Sequence, residues 1–544
     1  MQLCKTSNGK KQLSKKLVSF FERDRNFYIV FLLAMLVKSL PFGFQYFPFS
    51  DDFTAYGVYT LYAGNLWSDV MVHYALYGLR PLAGIFDVYV ISRFWPNLSL
   101  VLLLITILRF VTIVLLDRIF AKSGLIWGRV AAVFFAFFPA LTESAYWLSA
   151  SARIVPAAFF CTLAAFAMLK FIYQEGRYHL WFALALLSGI LAQGFYEQGI
   201  IFAFVFTFGL LILHRKALPH KALFAWPFVN LGIIATHHVI FRNVGHLAHR
   251  TAVADNLFAQ IPLVADRILT TFIREQMPTI VNTFRWGFGL LVREHLFLTV
   301  LVLVFSLLLA LFVVFDRRAV LESGRKTARS LLTGLVLTLC TLTIFFLLAE
   351  SWVWVRNFFF VILGLAIFAE IAARAIRLTH VAITVGKGAA AFLAIAIFFS
   401  GFVLEVDSLR SVAHYDRQIM YRFIDEVEQL DEDMEVERVW LFGLQWTYAP
   451  TINPRITSQI RLDWAIDGYY LALTQTQSRD RPFWIIPVMV GQEIGVDFAQ
   501  DVLFGLDADL AAHRLVFEEG VFHFQNSGQV FGRIGTDGTF LMGE

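Results

Sequence analysis

Through residue 403 the apolar residues neither alternate as in a half-buried strand nor keep to one helical face. They come in long runs separated by short basic stretches. A run of about 20 apolar residues carries a helix across a hydrocarbon core, because each residue advances about 1.5 Å. Eleven such spans can be placed, near 27–48, 97–117, 125–140, 153–172, 180–194, 199–213, 222–240, 294–315, 331–349, 357–373 and 382–403. Beyond them the pattern changes. Residues 405–435 keep a helical spacing rich in acids, whereas Arg438 to Leu444, Gly468 to Leu473, Phe483 to Val490 and Val521 to Phe531 have the β-branched and aromatic composition of strands between turns. The predicted fold class is an α-helical polytopic membrane protein of about eleven transmembrane helices with a C-terminal soluble α/β or α+β domain. The expected organisation is a basic N-terminus at 1–26, a membrane domain at 27–403 and a soluble domain at 404–544.

Composition agrees with a membrane protein. The chain is 58% hydrophobic and 16% charged, against roughly a quarter charged in soluble domains. Its net charge of +4 averages a basic membrane part with an acidic tail that holds more than half of the 41 acids, so no basic footprint for nucleic acid remains. Cys4, Cys161 and Cys340 build neither a disulfide framework nor a zinc site. Residues 1–26 hold seven Lys and Arg and no small-residue cleavage pattern, which predicts an uncleaved first helix.

Lys and Arg in short loops mark the cytoplasmic side. They recur at Lys5 to Arg25, Asp117 to Arg129, Lys170 to Arg177, His214 to Lys221, Asp316 to Arg329 and Arg374 to Lys387, with room for an out-and-back helix pair between each. The N-terminus is then cytoplasmic and the tail extracytoplasmic. This alternation requires 180–213 to be two short helices rather than one long one. The two long external loops, 49–96 and 241–293, hold amphipathic stretches at Leu79 to Val90 and Ile261 to Leu291, predicted to lie on the membrane surface.

On this topology the ionisable residues out of place beside apolar runs share one face. They are Asp51 and Asp52 after the first run, Arg80, Glu143 with Trp147, Glu197 beside Tyr196, and Arg356 beyond Trp352. Carboxylates accept hydrogen bonds from hydroxyls, aromatic faces cover sugar rings and a guanidinium pairs with phosphate oxygens, so together they suit a sugar joined to phosphate. Structural readings stand beside this one: a helix cap for the acids, interfacial anchors for the arginines and an aromatic belt for the tryptophans. In the tail, Trp440, Trp446, Tyr448, Trp464, Tyr469 and Tyr470 either contact glycan or fill a small core.

A first span leading into Ser50-Asp51-Asp52-Phe53, then Gly78-Leu79-Arg80-Pro81-Leu82, then Pro139 to Trp147 with Glu143, resembles the GT-C superfamily of membrane glycosyltransferases, most closely its bacterial GtrII-type branch. Leu79 interrupts that branch's Gly-Arg-Pro-like element. The resemblance implies an inverting transfer of a sugar from a polyprenyl-phosphate donor to a glycan or glycolipid acceptor at the extracytoplasmic face of a bacterial inner membrane. It gives the general base to Asp51 or Asp52, with Asp51 the first choice and Asp52 then positioning the acceptor or a divalent ion. Arg356 is the first choice for the lipid phosphate, with Arg80 and Arg153 in reserve, and Glu143, Trp147, Tyr196, Glu197 and Trp352 shape the sugar pocket. No cofactor is implied with certainty; if a divalent ion is required, Mg2+ or Mn2+ would sit on Asp51 and Asp52. Two rival classes remain: a polysaccharide polymerase or ligase, against which the early Asp-Asp pair argues, and a lipid-linked glycan transporter, which would show repeated halves.

Overall fold

The computed structural model describes residues 18–37, 44–49, 51–58, 80–139, 142–241, 256–316, 324–347, 353, 355–375, 380–430, 436–446, 448, 456–475, 483–489, 492, 501–519, 521–534 and 539–542. Two compact units emerge. One is drawn from Met1–Phe44, Val70–Ile85 and Ser99–Val403, the other from Gln45–Asp69, Phe86–Leu98 and Leu404–Glu544. The second unit therefore includes two early segments as well as the tail.

The first unit is helical. In chain order its helices are α1 (Asp24–Val37), α2 (Pro81–Phe86), α3 (Ser99–Lys122), α4 (Arg129–Phe137), α5 (Thr142–Tyr146), α6 (Leu148–Ile172), α7 (Tyr178–Gln193) and α8 (Glu197–Leu213). Then come α9 (Trp226–Phe241), α10 (Leu257–Leu269), α11 (Met277–Glu294), α12 (Leu296–Val314), α13 (Gly324–Leu347), α14 (Phe359–Ala375) and the first half of α15 (His380–Val427). Each predicted span overlaps one of these helices, but the expected count of eleven crossings is corrected. Among the described residues six helical stretches are long and apolar enough to cross a bilayer: Ser99–Lys122, Leu148–Ile172, Leu296–Val314, Gly324–Phe346, Val355–Ala375 and Val385–Val427. They make the chain an integral membrane protein. The other five helices, α1, α4, α7, α8 and α9, have 14, 9, 16, 17 and 16 residues. Apolar runs overstate helix length where proline intervenes. Phe138, before Pro139, is extended (φ −68°, ψ 125°) and ends α4, as the clash between a proline ring and the preceding residue requires. The 180–213 stretch is two helices, parted at Gly194-Phe195-Tyr196.

The 9-residue α4 lies buried on most of its surface, so its unpaired terminal N–H and C=O groups must find partners inside the protein. Charged side chains supply them at both ends. At the N-terminus the Glu370 carboxylate accepts from Ala131 N at 3.0 Å and the Asp316 carboxylate from Arg129 N at 3.4 Å. At the C-terminus Arg109 Nη2 donates to the carbonyls of Phe135 and Ala136 at 2.9 and 3.0 Å. Anions at the positive end and a cation at the negative end also match the helix dipole. Glu370 Oε1 further accepts from Arg374 Nε at 2.8 Å. The Arg129 guanidinium donates to Phe21 O, Phe312 O, Glu22 O and the Asp24 carboxylate at 2.6–3.1 Å, which ties the start of α1 to the end of α12.

Phenylalanine dominates the packing. Phe135 meets Phe359 edge-on at 5.1 Å, and Phe137 meets Phe398 at 5.5 Å. Helices α13 and α14 approach closely because Gly364 leaves room: a Cβ there would stand 2.6 Å from Gly334 O and 2.8 Å from Thr338 N. Small residues permit such backbone approach between helices in membranes. From Leu257 to Glu294, α10 continues through a π-turn (Thr270–Gln276) into α11. Its Phe258, Ile261, Leu263, Ile273, Val281 and Trp286 are exposed, as suits an amphipathic helix with its apolar face against lipid.

The second unit is built on a seven-stranded sheet. Its strands are β1 (Arg438–Leu444), β2 (Trp484–Met489), β3 (Asp501–Leu506), β4 (Ala512–Glu518), β5 (Val521–Phe524), β6 (Val530–Ile534) and β7 (Phe540–Met542), in the order β2-β1-β3-β4-β5-β6-β7. Strands β2 and β3 run parallel to β1; the remaining pairs are antiparallel. Gly468 to Leu473, expected as a strand, lies in helix α16 (Asp463–Thr474). Parallel β1 and β2 need a crossover, and burial of Ala465, Ile466, Tyr469 and Tyr470 at helical spacing outweighs the β preference of the paired tyrosines. Val521 to Phe531 is a hairpin rather than one strand.

Helix α15 has 48 residues, about 72 Å at 1.5 Å per residue, more than twice the hydrocarbon thickness of about 30 Å. Its residues to Val403 belong to the helical unit and those from Leu404 to the sheet unit. There Ile419, Met420 and Phe423 pack with Val439, Leu441 and Phe504 of the sheet and with Phe53 and Val58 of an early segment.

Asp416, on this second half of α15, is buried and accepts from Ser458 Oγ and Gln459 N at 2.7 Å each. Burial raises its pKa to about 7, hydrogen bonds from Gln459 N, Ser458 Oγ and the Ile460 backbone offsetting part of that cost. The unfolded carboxyl therefore ionises first as pH rises. Stability should fall between pH ~4 and ~7 by about 1.4 kcal/mol per unit, on the order of 4 kcal/mol in all, and change little above that range from this group. Asp416→Asn should flatten this slope in thermal melts across pH; an unchanged slope would show that Asp416 is not its source.

Candidate functional site

Within the helical unit, close backbone approach brings four of the sequence-selected residues into one chain of contacts. Leu82 N and Ala83 N, in the first turn of α2, donate to Gly194 O at 3.0 and 3.1 Å. Gly194 is needed there, because a Cβ would stand 2.6 Å from Leu82 Cδ1. This docking sets Arg80, which precedes α2, over the ring of Tyr196, with Cζ 4.9 Å from the centroid. The buried Tyr196 hydroxyl accepts from Asn357 Nδ2 at 2.7 Å. Next to Asn357, on the 3-10 turn Val355–Phe358 that precedes α14, Arg356 Cζ lies 4.5 Å from the centroid of Trp147. The sequence reading missed Asn357, although it adjoins Arg356 at the end of an apolar span.

Both guanidinium groups therefore lie over aromatic rings, an arrangement that holds a cation in place by attraction to the ring quadrupole. Arg153 is buried in the first turns of α6. Glu143 falls in α5 and Glu197 opens α8, with side chains outside the described part; Trp352 lies outside the described residues.

The acidic pair belongs to the sheet unit. Asp52 is fully buried, and its Oδ2 accepts from the Tyr46 hydroxyl at 2.5 Å and from Phe49 N at 3.0 Å. Asp52 N donates back to Phe49 O at 3.0 Å. The carboxylate thus closes the loop that precedes it and makes no side-chain cap on the π-turn Phe53–Gly57 that follows. Asp51 beside it is half-buried. A second fully buried acid, Asp87, opens the π-turn Asp87–Ile91, which packs against Phe53–Gly57 in the same unit. Its signal in the sequence is a lone carboxylate inside the apolar stretch Ile85-Phe86-Asp87-Val88.

For a divalent ion the acidic pair is the donor set that the sequence offers, and Asp52 Oδ2 is already engaged by two hydrogen-bond donors. Among the described residues no group of three or more His, Cys, Asp or Glu is placed to hold a metal. Of the aromatic residues noted in the tail, Trp440, Tyr469 and Tyr470 are buried in the sheet unit, whereas Trp446 is 55% exposed. No family model, curated protein or solved structure matches the chain.

Proposed function

We propose that this membrane protein is an inverting glycosyltransferase of the GT-C type that uses a polyprenyl-phosphate sugar and acts on a glycan or glycolipid at the extracytoplasmic face. The observation that carries the reading is the linked pair Arg80 on Tyr196 and Arg356 on Trp147, joined through Asn357. It offers cations for a phosphate and aromatic rings for a sugar in one unit.

In the proposed reaction an acceptor hydroxyl attacks the anomeric carbon. By the GT-C resemblance its proton passes to Asp51, the anomeric carbon–oxygen bond to phosphate breaks, and the phosphate departs with the electron pair. A positive group stabilises that developing charge, the role given to Arg356. The engaged oxygen of Asp52 holds its carboxylate still, which suits a positioning group, and the GT-C resemblance supplies Asp51 as the base. No acid is needed on the leaving side, since lipid phosphate departs as a stable anion, unlike the alcohols released by two-carboxylate glycosidases.

The test is transfer of labelled sugar from a set of polyprenyl-phosphate donors by the purified protein. The parent should transfer, and Arg356→Ala should lower kcat/KM by about 10- to 100-fold, as expected for loss of one charge-stabilising group. No transfer from any donor would overturn the reading in favour of a polymerase, ligase or transporter.

A further inference from the structure

The sheet unit contains a second cluster of polar and aromatic side chains, around the exposed Trp446. Strand β1 lies between its two parallel neighbours, and the chain leaves it for β2 on one side before returning to β3 on the other. Such a switch in direction opens a crevice beyond the carboxyl ends of the strands, where open α/β sheets bind ligands. Gly443, at φ +82°, bulges β1 just before this edge, and the Tyr448 hydroxyl pins the turn by accepting from Gln445 N at 2.9 Å.

Trp446 follows directly, and its exposure contrasts with the burial of Trp440, Tyr469 and Tyr470. It is held rather than loose. Its carbonyl accepts from Ser458 N at 3.0 Å, and Arg461 Cζ lies 3.8 Å from its ring centroid. Arg461 Nε donates to Thr457 Oγ1 at 3.1 Å, and Gln459 Nε2 donates to Thr457 O. Two capacities in this network are unused. Gln459 is 4% exposed, and its side-chain oxygen receives no donor among the described residues. Partial burial lowers the pKa of Arg461, and no carboxylate among the described residues offsets that.

We infer that Trp446, Arg461 and Gln459 form a binding site for an acidic saccharide. The indole offers a face to a sugar ring, the guanidinium a partner for a uronate or phosphate group, and the amide oxygen an acceptor for a sugar hydroxyl. This inference does not depend on the transferase reading. Binding is measured without transfer, so either can fail while the other stands.

The experiment is calorimetric titration of the full chain in detergent with trigalacturonate and with neutral maltotriose. The parent should bind the acidic trisaccharide about 10-fold more tightly or better. Trp446→Ala should weaken that binding by about 10-fold, the scale of one aromatic contact, and Arg461→Gln should abolish the preference for acid. Trp484→Ala removes an equally exposed tryptophan on β2 and should change nothing. Absence of binding, equal affinity of the parent for both sugars, or an equal loss in Trp484→Ala would overturn the site. Melting temperatures of the variants separate lost binding from lost folding.

Discussion

Asp51→Asn should lower sugar transfer by about 10²- to 10⁴-fold, the range for removal of a general base, while the melting temperature stays near that of the parent. Asp51 is half-buried and Asp52 fully so, so the two substitutions should separate. Asp52→Asn exchanges an oxygen that accepts from Tyr46 and Phe49 for an amide and should reduce stability as well as rate. The pH–rate profile distinguishes the roles. Loss of the base should remove the acidic limb of kcat/KM, whereas loss of a positioning group lowers the whole profile. If Asp51→Asn kept the parent's rate at matched folding, the carboxylate would have no part in proton transfer and the proposed chemistry would fail.

The largest stability effect is expected at Glu370. Its side chain is 3% exposed, accepts from Arg374 Nε at 2.8 Å and caps α4 through Ala131 N. Glu370→Ala leaves a buried guanidinium without its carboxylate and a helix N–H without its acceptor, a loss of about 3–5 kcal/mol. Replacing both partners, Glu370→Leu with Arg374→Leu, removes the stranded charge and should restore part of that loss, because paired charges in an apolar interior are retained at a high desolvation cost. Thermal unfolding in detergent reads both variants. A single variant within about 1 kcal/mol of the parent, the size of an exposed ion pair, would show that the pair is far better solvated than its burial implies.

Run length in the sequence locates, among the described residues, the six helices long and apolar enough to cross a bilayer, but does not tell them from the five shorter ones. Length depends on where chain breakers fall and on how helix ends are satisfied. The caps of α4 come from Arg109, Asp316 and Glu370, distant in sequence, so a 9-residue buried helix was not legible as such. The sequence does reveal Arg80, Trp147, Tyr196 and Arg356 as misplaced charge and aromatic residues, since charge beside apolar runs is costly. It does not reveal that Asn357 links them, nor that Gly194 must lack a side chain for Arg80 to reach Tyr196. In the tail the paired tyrosines favour a strand by composition, and only the need to connect parallel strands makes them helical.

The sheet unit's core is assembled from chain segments made far apart in time. Phe53 packs at 4.0 Å on Tyr469, and Val58 shares the same cluster. At roughly 5–20 residues per second, the ribosome needs on the order of 20 to 80 s after Val58 to complete β1. For that interval the loop around Asp52 has no sheet to fold against, and its aromatic residues must be shielded by the translocation machinery, the lipid surface or a chaperone. A fragment that begins at Leu404 would lack Phe53, Val58 and Trp95 from its core, so production of the tail by itself should yield aggregation unless the early segments are supplied in trans.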